Sequence, residues 1–201
     1  MKTTLEKFSK KFQGPVIIAA AVCAGLVLIF TLSFLTDVSA LYNHTDPDDA
    51  VGYVEGSWIY FDAQGFNKVM LILSLVMILA AAALFVFFSQ NRRIYYLSNY
   101  IVTGIYAAYS FFIAALIFVF VVPLRSRYVN GVDWEGYKQI TEGFNGAMEY
   151  VKSTFWFDAG IVLGVALVLL SGLLIANSVV KHKVNKQWKT PAKAAGAEAE
   201  A

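Results

Sequence analysis

"VMLILSLVMILAAAALFVFF", Val69 to Phe88, runs for 20 residues without an Asp, Glu, Lys, Arg or His. At about 1.5 Å rise per residue, a helix of that length crosses a hydrocarbon layer of about 30 Å. A helix of a soluble domain buries one stripe and hydrates the other, and this run has no side to hydrate. It reads as a membrane span. Three further stretches, Pro15 to Thr36, Tyr100 to Val122 and Ala159 to Val180, are equally free of those residues. Lipid offers no partner to a backbone N–H or C=O, so the runs must be helices, and they are too long and too evenly apolar for barrel strands. The composition agrees, with 58% hydrophobic and 15% charged residues. The expected fold class is all-α: a polytopic membrane protein built as a four-transmembrane-helix bundle of two helical hairpins, with an additional amphipathic helix in the second outer loop.

The basic residues set the expected orientation. Lys2, Lys7, Lys10 and Lys11 precede the first span, Arg92 and Arg93 lie in the short second connection, and Lys181, Lys183, Lys186, Lys189 and Lys193 follow the last span. Of the 14 acidic residues, Glu6, Glu198 and Glu200 lie beside these bases, and the others lie in the two long loops. Positive charge stays on the cytoplasmic side. The chain is therefore expected to have a basic cytoplasmic tail at 1–14, a transmembrane domain at 15–180 with outer loops at 37–68 and 123–158, and a basic, then low-complexity, cytoplasmic tail at 181–201. "VSA" at Val38 to Ala40 resembles a signal cleavage site, but the preceding apolar run exceeds the ~7–15 residues of a signal core. It is read as a retained span. Cys23 is the only cysteine, so no disulfide within the chain holds the loops.

Two of the spans share an approach. "SWIYFDAQGF" (Ser57 to Phe66) and "TFWFDAG" (Thr154 to Gly160) both place Phe-Asp-Ala ahead of an apolar run. Two readings are open. One is an internal duplication of the hairpin. The other is an aromatic belt of Trp58, Tyr60, Phe61, Phe155, Trp156 and Phe157 at headgroup depth, with Asp62 and Asp158 hydrated at the positive end of a helix.

The first outer loop is acidic, and "NHTDPDDAVG" has turn chemistry. Asp46, Asp48 and Asp49 form a candidate cation site because calcium takes several carboxylate oxygens, although the glycine and distal glutamate of a calcium loop are missing. Asn43-His44-Thr45 fits a glycosylation acceptor. In the second outer loop Trp134, Tyr137, Ile140, Phe144, Met148, Val151 and Phe155 recur in steps of three and four. They predict an amphipathic helix from about Trp134 to Ser153, N-capped by Asp133, lying on the membrane surface or capping the first loop.

Chemistry is sparse. An ionisable group at mid-span costs roughly 2.5–3.5 kcal/mol and marks relays and ion paths, and none of the four spans contains one. His44 and His182 are the only histidines and fall on opposite sides, so no metal centre is expected. No hydrolase, nucleotide-binding or metalloprotease motif occurs. The chain is accordingly expected to be no enzyme and to carry no cofactor and no catalytic residue.

Packing signals remain. Gly160, Gly164, Gly172 and Ala176 on the last span, with Ala21 and Gly25 on the first, permit close helix approach within the bundle or between chains. Asn99, Thr103, Tyr106 and Ser110 share one face of the third span, and Asn177 lies near the same end of the fourth. They form either an interhelical hydrogen-bond network or a polar path for a small ligand. The basic residues beside the spans suit anionic lipid headgroups on the cytoplasmic side; nucleic acid is not an expected partner.

Four spans with two outer loops are similar in topology to tetraspanins, claudins and connexin-like proteins. Those carry paired loop cysteines that this chain lacks, so no site or activity transfers. The expected function is a non-enzymatic assembly, accessory or scaffold subunit of a cell membrane, a homo-oligomer or the companion of another membrane protein. The alternative is a small channel or carrier with its path along the third span.

Overall fold

The computed structural model describes residues 4–48, 52–90, 96–141 and 153–199, and among them there is no strand. The elements are α1 (Thr4–Ser33), two short 3-10 helices (Phe34–Asp37 and Ser39–His44), α2 (Ile59–Gln90), α3 (Leu97–Leu116), a π-helical turn (Ile117–Val121), α4 (Val122–Asn130), α5 (Trp134–Thr141) and α6 (Phe155–Ala199). Four stretches, Lys11–His44, Ile59–Phe87, Leu97–Asn130 and Phe155–Lys186, are helical, long and apolar enough to cross a membrane. The chain is an all-helical integral membrane protein.

The helices overrun the apolar stretches that announce them. An apolar run measures only the part that must avoid water, whereas backbone pairing continues wherever the residues favour it. The first Phe-Asp-Ala thus lies in the opening turn of α2 and the second in that of α6. The third crossing continues through the π-turn into α4. Its irregularity has a local cause: Pro123 has no N–H to donate to the Val119 carbonyl, and its ring crowds that carbonyl, so the ladder widens just before it.

The low-complexity "PAKAAGAEAEA" is helical as far as Ala199, the end of α6. Ala, Lys and Glu are strong helix formers, and an established helix needs no new nucleus to propagate into them.

The chain forms two compact units. The terminal unit comprises Met1–Ala24, Met77–Phe111 and Leu167–Ala201. Ala20, Met77, Leu84, Ala107, Leu170 and Leu174 are buried in it, and Ser171 Oγ donates to the Ala107 carbonyl at 3.0 Å. The loop unit comprises Gly25–Val76 and Phe112–Ala166. Its core is a chain of rings. Phe34, fully buried, meets Phe30, Phe66 and Phe157 at centroid distances of 5.1, 5.6 and 5.2 Å. Phe157 continues to Tyr128 at 5.2 Å, Tyr128 to Trp134 at 5.0 Å, and Trp134 to Tyr137 at 5.9 Å. Each such pair contributes about 0.5–1.5 kcal/mol beyond the apolar area that it buries.

Candidate functional site

Two arginines and two aspartates of the loop unit meet where α4 passes the starts of α2 and α6. Residues two apart on a helix project about 200° apart, so Arg125 and Arg127 reach different neighbours. Arg125 Nε donates to Asp158 Oδ1 at 2.7 Å, and Arg127 Nη1 donates to Asp62 Oδ2 at 2.7 Å. Both partners are the aspartates of the Phe-Asp-Ala motifs. Each carboxylate thereby meets the positive end of its own helix and an arginine at once. Thr154 Oγ1 donates to the second carboxylate oxygen, Asp158 Oδ2, at 2.8 Å.

A third aspartate completes the boundary. Asp37, buried at the end of the first 3-10 helix, accepts the Trp156 backbone N–H at 2.7 Å. That N–H is one of the orphan donors in the first turn of α6, so a residue 119 positions earlier caps it. The Asp37 carbonyl in turn accepts from the Tyr128 hydroxyl at 2.8 Å.

Beyond these groups the two long loops interlock. The Asp133 N–H donates to the Glu55 carbonyl at 2.9 Å. Gly56 has φ +82°, and a Cβ there would strike the Gly131 carbonyl, so the two backbones approach as only glycine permits. His44, buried, has Nδ1 2.8 Å from the Gly52 carbonyl oxygen and its ring 5.0 Å from Tyr137. Asp133 Oδ1 accepts the Gly136 N–H at 2.9 Å at the start of α5. Trp134 and Tyr137 are buried, with Trp134 Nε1 donating to the Tyr128 carbonyl at 3.0 Å. Burial raises the Tyr137 hydroxyl above the usual tyrosine value. Ile140 packs over Gly52. In α5, then, the apolar residues face protein. Phe144, Met148 and Val151 lie outside the described residues. Phe155 departs from the expectation: it opens α6, largely exposed, and is not part of α5.

The belt reading also needs correction at one residue. Trp58, Phe61 and Phe155 are exposed, but Phe157 is fully buried between Phe34 and Tyr128. Asp158 is its neighbour in sequence, and one step of helix turns the ring inward and the carboxylate outward.

Of the candidate cation site, Asp46 and Asp48 are described. Asp46 Oδ1 accepts the Asp48 N–H at 3.0 Å in an Asx turn, and Asp49 lies outside the described residues. Among the described residues no three metal-ligating side chains converge.

The small residues divide. In the loop unit Gly160 and Gly164 are buried: a Cβ on Gly160 would lie 2.6 Å from Phe30 Cε2, and one on Gly164 3.1 Å from Phe118 Cζ. Gly25 is half-buried with nothing within 4 Å of its Cβ position. In the terminal unit Ala21, Gly172 and Ala176 are exposed. There too lie Asn99, Thr103, Tyr106, Ser110 and Asn177, all buried. Tyr106 donates its hydroxyl to the Ala20 carbonyl at 2.7 Å, and Thr103 Oγ1 donates to the Asn99 carbonyl at 2.7 Å. The Asn99 and Asn177 amide nitrogens are buried without a hydrogen-bond partner among the described residues.

A cleft of about 450 Å³ opens between α2 and the π-turn with its α4 extension, its apolar wall including Phe66, Met70, Val119, Phe120 and Leu124. Asp62 and Arg127 stand at its rim. The pairing of Arg125 and Arg127, the capping by Asp37 and this cleft do not follow from the sequence pattern alone. The one signal for the arginines is the pair of identical aspartate settings facing two closely spaced bases.

Comparison of the chain with protein-family models, with curated proteins and with solved structures finds no match.

Proposed function

We propose that this membrane-spanning chain is a non-enzymatic assembly or accessory subunit of the cell membrane, with both termini cytoplasmic and the two long loops presented outside as its contact surface. Its partner is a second copy or another membrane protein. The observation that carries this reading is the interlock of the two loops through Asp133, Glu55, Gly56 and Gly131. Long loops whose sole task is to connect spans need no such close backbone fit, whereas a docking surface must keep its shape before the partner arrives. Tyr42, Tyr53, Trp58 and Phe155 are exposed on these loops, and aromatic residues are enriched in the cores of interfaces. On the cytoplasmic side Lys11, Lys183 and Lys186 are exposed and suit anionic lipid headgroups.

The test is chemical crosslinking at native expression followed by purification in a gentle detergent. A dimer or a defined larger complex, lost when Trp58 and Tyr53 are both replaced by Ser, is expected. Recovery of a lone monomer under both conditions defeats the reading.

The Asn99 and Asn177 amide nitrogens, without a partner among the described residues, favour one rival, a carrier path along that face. Liposome flux distinguishes it: a path there requires Thr103→Val combined with Ser110→Ala to alter transport.

A further inference from the structure

The cleft beside α2 combines a notch, an apolar wall and a doubly charged rim. The notch is Gly65, which has no heavy atom within 4 Å of where a Cβ would stand. The wall belongs to stretches long and apolar enough to lie in lipid, and Val119 and Phe120 are exposed there. Water in such a groove would wet apolar surface for no hydrogen bonds, so an acyl chain is its natural filling. A volume of about 450 Å³ lies in the range of sites that enclose a ligand of drug size.

The rim decides what the chain is attached to. Arg127 and Asp62 are joined at 2.7 Å, yet their side chains stay 57% and 52% exposed. The guanidinium has further N–H donors directed away from that bond, and the carboxylate has further lone pairs. A cation and an anion therefore stand side by side at the mouth of an apolar groove. A purely anionic headgroup would meet Arg127 but be repelled by Asp62. A headgroup with a phosphate and a primary ammonium satisfies both.

We propose that the cleft binds one acyl chain of a zwitterionic phospholipid from the leaflet nearest the loop unit, with the phosphate beside Arg127 and the ammonium beside Asp62. The site needs no partner protein.

The test uses the purified full chain in non-ionic detergent, titrated with phosphatidylethanolamine or phosphatidylglycerol of matched acyl chains and read by native mass spectrometry. Wild type is expected to retain one phosphatidylethanolamine with about fivefold preference over phosphatidylglycerol. Gly65→Leu, which fills the notch, should abolish that retention, and Asp62→Asn, which removes the partner of the ammonium, should remove the preference. Equal retention of the two lipids by wild type, or undiminished retention by Gly65→Leu, overturns the proposal. Where Gly65→Leu fails to fold, wild type in liposomes with a phosphatidylethanolamine carrying a photoreactive acyl chain decides the matter. Labelling concentrated in peptides containing Phe66 to Met70 and Leu116 to Leu124 supports the site, and labelling spread evenly over the exposed apolar faces overturns it.

Discussion

Arg127 of α4 holds Asp62 of α2 at 2.7 Å, and two residues earlier Arg125 holds Asp158 of α6 at the same distance. One helix end thus ties the two Phe-Asp-Ala motifs through opposite sides of a single turn. In each motif the carboxylate stands in the opening turn of a helix with an arginine opposite.

Both ion pairs are largely exposed, and such pairs contribute about 0.2–1 kcal/mol. A double-mutant cycle of Asp62→Asn and Arg127→Gln in detergent should return a coupling energy within that range, falling as salt is raised. A coupling well above it would mean that the pair is buried in solution.

Asp37 should matter more. Asp37→Ala removes the acceptor for the Trp156 N–H at the start of α6, and loss of a helix cap costs about 0.5–2 kcal/mol. Thermal unfolding followed by circular dichroism should rank Asp37→Ala as more damaging than Asp62→Asn. The opposite ranking would mean that the cap contributes nothing to the start of α6.

The glycines of α6 should behave differently from one another. Gly160→Ala places a methyl group 2.6 Å from Phe30 Cε2 and should destabilise by about 1–3 kcal/mol through overpacking. Gly172→Ala meets nothing within 4 Å and should be neutral or stabilise by up to about 1 kcal/mol through the chain entropy of the unfolded state. Melting temperatures of the two variants check this.

Gly56→Ala combines a left-handed φ of +82° with a collision at the Gly131 carbonyl. It should loosen the loop interlock while leaving the spans intact. Limited proteolysis should then cut near residues 52–58 or 129–133 at least about tenfold faster than in wild type, an opening shift of about 1.4 kcal/mol.

The spans are legible in the sequence because hydrocarbon imposes one rule on every residue that it touches. A run such as Val69 to Phe88 has no second interpretation at that length. What the sequence hides is everything decided by which face of a helix meets which neighbour. Phe157 and Phe155 look equivalent in the string "TFWFDAG", yet one is core and the other is exposed. Arg125 and Arg127 look like a small basic cluster until the helical turn sends them to different aspartates. Asp37 reads as the first hydrophilic residue after a span, and its work as a cap depends on a segment more than a hundred residues away. The cleft depends on a missing side chain at Gly65 and on a backbone irregularity ahead of Pro123, neither of which has a periodic signature.

The proposed topology, with the two long loops outside and both ends inside, can be tested directly by two-sided thiol labelling. In a Cys23→Ser background, Asn43→Cys or Lys183→Cys is introduced, both at exposed positions, and intact cells are treated with a membrane-impermeant maleimide. The expected result is labelling of the Asn43→Cys variant in intact cells and of the Lys183→Cys variant only after permeabilisation. Labelling of the Lys183→Cys variant in intact cells, with the Asn43→Cys variant protected, would contradict that topology.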